Sequence, residues 1–133
     1  MYHLVLPAKY RRSVITKEVD KNLVECCNEI EKRYEITFLE IGTDKNHVHF
    51  LVQASPTYSP TKIVTIIKSI TARYIFQKNP EVKKQLWGGE FWSDGYFAST
   101  VGKYSSENAI SKYIQKQGQE DQYIQLNKQL PLF

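Results

Sequence analysis

Periodic segments in the order strand–helix–strand–strand–helix–strand, followed by a short helix, predict an α+β fold. The expected architecture is a ferredoxin-like split β-α-β antiparallel sheet with its helices on one face. Three observations carry this: short alternating runs at both ends of the first hundred residues, two long stretches with apolar residues at helical spacing, and a polar turn joining two adjacent alternating runs.

Tyr2 to Pro7 alternates and reads as the first strand, closed by Pro7 and the basic segment Lys9-Tyr10-Arg11-Arg12. From Thr16 a helix runs to about Tyr34, with Val19, Leu23, Cys26, Cys27, Ile30 and Tyr34 on one stripe. Ile36 to Ile41 is a strand, Thr43 to Asn46 a turn and His47 to Ala54 the next strand, together an antiparallel hairpin. Pro60 opens a second helix, since proline suits a first turn. Its expected buried stripe is Ile63, Ile66, Ile67, Ile70 and Tyr74, and Asn79-Pro80 stops it. An irregular loop containing Trp87-Gly88-Gly89 leads to Asp94, and Tyr96 to Val101 is the fourth strand. Gly102 is a joint, Ser105 or Ser106 a cap, and a short helix follows to about Gln117. The Gln-rich remainder, 118–133, is expected to be mobile or docked on a partner.

A chain of 133 residues, 41% hydrophobic and 24% charged, is one globular domain over 1–133, which excludes disordered and fibrous classes. No apolar run approaches the roughly 18 residues a membrane span needs. The short apolar stretch near the start precedes its basic cluster, the reverse of a secretory leader, so the expected location is cytoplasmic with no membrane contact. Cys26 and Cys27 are adjacent in a helix and cannot form an ordinary bridge; they read as reduced, partly buried thiols. The net charge of +4 is compatible with a nucleic-acid partner without requiring one. Aromatics make up 13% of the chain, and basic residues interleaved with rings suit unpaired bases, although most of these rings are expected in the core.

The sharpest local feature is His47-Val48-His49. Alternation on a strand puts both imidazoles on one side and Val48, Phe50 and Val52 on the other. Such a pair can share a metal ion, and it can equally be two solvated histidines; the motif alone leaves both open. Tyr113 and Gln117 lie one helical turn apart. A tyrosine hydroxyl can act as nucleophile and a glutamine oxygen as a metal ligand. However, Ile110, Tyr113, Ile114 and Gln117 also follow the spacing of an apolar stripe, which places Tyr113 at its edge as a core residue. Lys9, Tyr10, Arg11 and Arg12 follow a strand end, where loops host binding. Lys62, Lys68 and Arg73 lie off the buried stripe of the second helix, where a solvated charged face is the ordinary explanation.

Four ordered blocks, YHLVLPAKYRR at 2–12, NHVHFLV at 46–52, FWSDGYFASTVGKY at 91–104 and SKYIQKQ at 111–117, resemble the small single-tyrosine HUH transposases of insertion sequences, the IS200-like type. The resemblance implies that His47 and His49 bind a divalent cation, Mg2+ or Mn2+, that Gln117 completes the metal site and that Tyr113 is the nucleophile. It further implies a homodimer whose active sites are shared between subunits, and single-stranded DNA carrying hairpins near the element's ends as substrate. Tyr113 would form a 5′-phosphotyrosine link and release a 3′-hydroxyl, so that a second 3′-hydroxyl can reverse the step without ATP. Lys9, Tyr10, Arg11, Arg12, Lys62, Lys68 and Arg73 are the expected DNA contacts, with Trp87 and Tyr10 placed to stack on a base. Two imidazoles and an amide suit a transition metal better than magnesium, yet the resemblance implies magnesium or manganese, with zinc or nickel expected only as occupants on crystallisation. No general base for the tyrosine is evident, and Tyr104 is the alternative nucleophile. Terminal DNA-binding additions are expected to be minimal.

Three rivals share parts of this pattern. One is a domesticated relative that processes repeated extragenic palindromes, with identical chemistry on other DNA. Another is a rolling-circle replication or conjugation initiator, which usually brings further domains. The third is a non-catalytic ferredoxin-like nucleic-acid-binding module, which would need exposed ring pairs on its sheet where this one carries His47 and His49.

Overall fold

The computed structural model describes residues 1–86 and 88–101, and the backbone of 122–125. Strand β1 spans Tyr2–Pro7, a single 3-10 turn Lys9–Arg11, helix α1 Lys17–Arg33, β2 Ile36–Thr43, β3 His47–Ala54, α2 Pro60–Lys78, α3 Pro80–Gln85, β4 Phe97–Thr100 and β5 Gln122–Gln125. The sheet order is β4-β1-β3-β2-β5, and every pairing is antiparallel. Its first four strands have the interleaved order of a split β-α-β fold, as the segment order predicts. The helix expected to carry Tyr113 and Gln117, with the Gly102 joint and the Ser105/Ser106 cap, lies outside the described residues, as does Trp87.

Local chemistry fixes the helix starts. Thr16 accepts a hydrogen bond from the Val19 amide at 3.2 Å, and Ser59 one from Lys62 at 3.1 Å with Pro60 in the first turn. Leu4, Leu6, Phe38, Ile41, Val48, Phe50 and Val52 form the helix-facing side of the sheet, buried against Val19, Leu23, Cys27 and Ile30 of α1 and Ile63 and Ile67 of α2. The other face carries a smaller cluster of Leu39, Leu51 and Val101. Val48, Phe50 and Val52 thus take the side that alternation assigns them, and the histidines take the opposite side.

Several details depart from the sequence expectations. The buried stripe of α2 is Ile63, Val64, Ile67, Thr71 and Ile75, with Ile66, Ile70 and Tyr74 flanking it. Thr71 is polar yet fully buried because its hydroxyl bonds the Ile67 carbonyl and accepts from the Trp92 indole at 2.9 Å. Pro80 stops α2 but also opens α3, and Asn79 at the corner accepts from Asn22 of α1 at 2.7 Å. The loop before β4 is irregular but anchored: Phe91 and Trp92 are buried, and the chain pairs with the end of β1 through Lys9 N to Phe91 O at 2.8 Å and Ser93 N to Pro7 O at 2.9 Å. Within the Gln-rich tail, Gln122–Gln125 form a strand beside β2, which the sequence reading did not assign.

Candidate active site

His47 opens β3 directly after the Asp44-Lys45-Asn46 turn, which the Asp44 amide closes onto the His47 carbonyl at 2.9 Å. The segment after β1 wraps this turn, since Ala8 N donates to Asn46 O at 2.8 Å and Ile15 N to Lys45 O at 3.0 Å. Pro7 is paired in register with His47, so the basic segment Lys9 to Arg12 leaves the sheet beside the first histidine. Tyr10 and Arg11 hold left-handed backbone, with φ of 58° and 54°, a conformation that disfavours side chains and recurs at functional sites.

The rings of His47 and His49 lie on one side of β3, their centroids 5.0 Å apart and their planes at 70°. His47 Nδ1 sits 2.7 Å from Asn46 Oδ1; with the amide oxygen accepting, that nitrogen carries the proton and Nε2 the lone pair. Asp44 Oδ2 is 3.9 Å from that Nε2. A third imidazole joins them, which the sequence reading had passed over: His3 of β1 places Nε2 3.1 Å from His49 Nδ1, the two rings meeting edge to edge and nearly coplanar, with centroids 5.4 Å apart and planes at 9°. Alternation puts His3 on the non-helical face, but only the β1–β3 register, in which Val5 faces His49, brings it into contact.

Burial holds all three imidazoles below the ordinary histidine value. For His49 desolvation is the main cause, the neighbouring His47 and His3 add to it and Asp44 opposes it, and the result is about 4. For His47 desolvation leads, Asp44 opposes and the Arg11 guanidinium lowers it further; for His3 desolvation alone acts. The rings are therefore neutral at pH 7, the form that binds metals. The pair fits as two nitrogen donors to one cation. Among the described residues no group of three His, Cys, Asp or Glu could hold a metal by itself, so a further donor has to come from elsewhere.

The expected phosphate contacts divide in two. Tyr10, Arg11 and Arg12 are exposed, and the Arg11 charge is felt at His47. Lys9 pairs with Glu90 at 2.6 Å and lies 3.9 Å from Asp94. Lys62, Lys68 and Arg73 belong to α2, which packs on the opposite face of the sheet from the histidines. Lys62 lies over the Tyr58 ring at 4.4 Å, and Arg73 Nε donates to Ser69 O at 3.2 Å. The Lys68 ammonium donates to the carbonyls of Ser93, Asp94 and Gly95 at 2.6, 3.2 and 3.4 Å, clamping the loop that leads into β4.

A split β-α-β sheet with paired neutral histidines beside an exposed basic segment suits an enzyme that processes DNA, and the comparisons with known proteins agree. Residues 1–117 match the family described as "Transposase IS200 like", and the chain belongs to that family. It is 32% identical over 116 residues to the ISDra2 transposase TnpA of Deinococcus radiodurans, covering 87% of this chain and 82% of that protein. It is 27% identical over 120 residues to the transposase for insertion sequence element IS200 of Salmonella typhimurium, covering 90% and 78%. Among solved structures, an assigned transposase from Deinococcus radiodurans R1 superposes with a TM-score of 0.70 at 29% identity, covering 87% of this chain and 88% of that one. The REP-associated tyrosine transposase bound to a REP hairpin shares the fold, with a TM-score of 0.65 at 9% identity and coverage of 90% and 66%. Among the described residues no helix is long and apolar enough to cross a membrane.

Proposed function

We propose that the chain cleaves and rejoins single-stranded DNA at hairpin-bearing ends of its own element, using Tyr113 as nucleophile and a divalent metal, Mg2+ or Mn2+, held by His47, His49 and Gln117. The observation that carries this is the His47–His49 pair, two neutral imidazoles on one side of β3 in a chain of the IS200-like transposase family. When bound, the metal supplies Lewis-acid polarisation of the scissile phosphate. His47 and His49 orient that charge from a rigid central strand, which is more precise than a loop. Tyr113 Oη loses its proton and bonds to phosphorus in line; the bond to the 3′ oxygen breaks, and that oxygen leaves as a free hydroxyl. The phosphotyrosine conserves the phosphodiester's energy for rejoining.

Lys9, Arg11 and Arg12 hold the strand's phosphates beside the histidines, and the exposed Tyr10 ring stacks on a base. Lys62 and Arg73 contact DNA that passes the helical face, whereas the Lys68 ammonium is taken up by the loop carbonyls of Ser93 to Gly95. The whole chain, 1–133, acts as one catalytic domain in a homodimer, each tyrosine-bearing helix serving the shared sites. Hairpin binding in the REP-associated structural neighbour is in keeping with a folded DNA end as ligand.

The test is a denaturing gel of the protein with labelled single-stranded DNA from the element's own end, with and without Mn2+. A covalent adduct that requires the metal and is absent from Tyr113→Phe and His47→Ala supports the reading. An adduct that persists in Tyr113→Phe moves the nucleophile to another tyrosine, Tyr104 first. Tight hairpin binding with no adduct in the wild type overturns the catalytic reading.

A further inference from the structure

We propose that His3, the histidine outside the H-x-H motif, is a positioning residue that fixes His49 as a metal ligand through its Nε2 atom. This rests on the reading of His47 and His49 as the metal-binding pair.

The contact between His3 Nε2 and His49 Nδ1, 3.1 Å long, holds one proton when both rings are neutral. If His3 donates, His49 accepts at Nδ1, carries its own proton on Nε2 and cannot ligate there. If His49 Nδ1–H donates, the lone pair of His49 lies on Nε2, and His3 keeps its proton on Nδ1. Metal binding at Nε2 is compatible only with the second arrangement.

Three further observations favour it. The two rings are buried, at 8% and 4% exposure, and nearly coplanar, with planes at 9°, so the two nitrogens point at each other and a flip of either ring breaks the contact. The Phe97 ring of β4 stands edge-on to His3 at 5.9 Å. Most telling is the parallel with His47, whose Nδ1 meets Asn46 Oδ1 at 2.7 Å. Both rings of the motif thus have Nδ1 engaged by an uncharged partner, one from the preceding residue and one from the neighbouring strand, and both present Nε2. Metal-ligating histidines ordinarily use such an outer partner to set tautomer and orientation, most often a carboxylate or a carbonyl. An uncharged imidazole in that place orients the ligand without adding negative charge where a phosphate must approach.

The experiment measures Mn2+ affinity of the DNA-free protein by titration calorimetry. In parallel, the tautomer of His49 in the metal-free protein is read by long-range 1H–15N correlation. His3→Leu removes the acceptor, whereas His3→Gln places an amide oxygen near the position of Nε2; thermal melts establish that both variants fold. The expected result is a wild-type His49 protonated on Nδ1, Mn2+ affinity about 10- to 100-fold weaker in His3→Leu, and most of that loss restored in His3→Gln. Wild-type affinity in His3→Leu, or a His49 that carries its proton on Nε2, overturns the proposal. So does a folded His3→Gln as weak as His3→Leu, because the imidazole itself would then be required. Unchanged Mn2+ affinity in His47→Ala instead overturns the underlying metal reading, and the tautomer of His49 still decides the role of His3.

Discussion

Asp20 offers a measurement of what this fold tolerates in its core. It is the fourth residue of α1, 2% exposed, on the face of the helix turned to the sheet. Desolvation raises its carboxyl from 3.8 to about 6, partly offset by a hydrogen bond from Thr43. For an acid with a raised folded value, the folded state binds the proton more tightly than the unfolded one. Stability is then fully present below about 4 and lost as pH rises through about 6. The shift of roughly two units corresponds to at most about 3 kcal/mol, which solvent screening and relaxation reduce to about 1–2 kcal/mol. Asp20→Asn keeps a hydrogen-bond acceptor and removes the charge, at the cost of about 0.5 kcal/mol of favourable interaction with the α1 dipole. The variant is expected to be more stable than wild type by about 1 kcal/mol at pH 7.5, or about 4 °C in Tm, with the advantage vanishing by pH 4. Urea unfolding in EDTA at pH 7.5, 6, 5 and 4 checks this. An equal stability at pH 7.5, or an advantage that persists unchanged at pH 4, would refute the reasoning, since a buried charge could then not be its source.

The histidines give the opposite slope. The depressed value of His49 means stability present above about 6.5 and lost as pH falls through about 4, by up to about 3 kcal/mol, so His49→Gln should flatten the acid limb of the same urea series. Thr71→Val strands the buried Trp92 indole N–H and should cost about 1–3 kcal/mol in urea unfolding at neutral pH. Arg12→Ala should reduce the slope of log affinity against log salt for single-stranded DNA by about 0.7 without moving Tm. Lys68→Met should lower Tm, because it releases three loop carbonyls, and a Tm equal to wild type would refute the clamp seen at Ser93 to Gly95.

Much of this was legible in the sequence because local rules and tertiary packing agree. The alternation of His47-Val48-His49-Phe50 fixes which side each residue takes, Thr16 marks its helix start by its capping hydroxyl and Pro60 by a ring that suits a first turn; the Ser59 cap was not read from the sequence. The remainder depends on partners distant in sequence. Thr71 breaks an apolar stripe and is buried only because Trp92, twenty-one residues on, supplies a donor. Asp20 looks like an ordinary first-turn acid until Thr43 and the sheet close over it. His3 reaches His49 through the register of two strands, which no spacing within either strand encodes. Lys68 reads as a solvated charge because backbone carbonyls, its actual partners, leave no mark in a sequence.

The position of β1 also bears on how the chain acquires its shape. Strand β1 sits between β3 and β4, and its outer pairing partners, Phe97–Thr100, are synthesised nearly a hundred residues after it. Until those residues leave the ribosome, β1 presents a bare hydrogen-bonding edge available to any other nascent strand. Closure of the sheet is a non-local event, slower than formation of α1 or of the β2–β3 hairpin. A message truncated before residue 97 should therefore yield aggregating product rather than a soluble fragment, even though such a fragment would still contain all three histidines of the site.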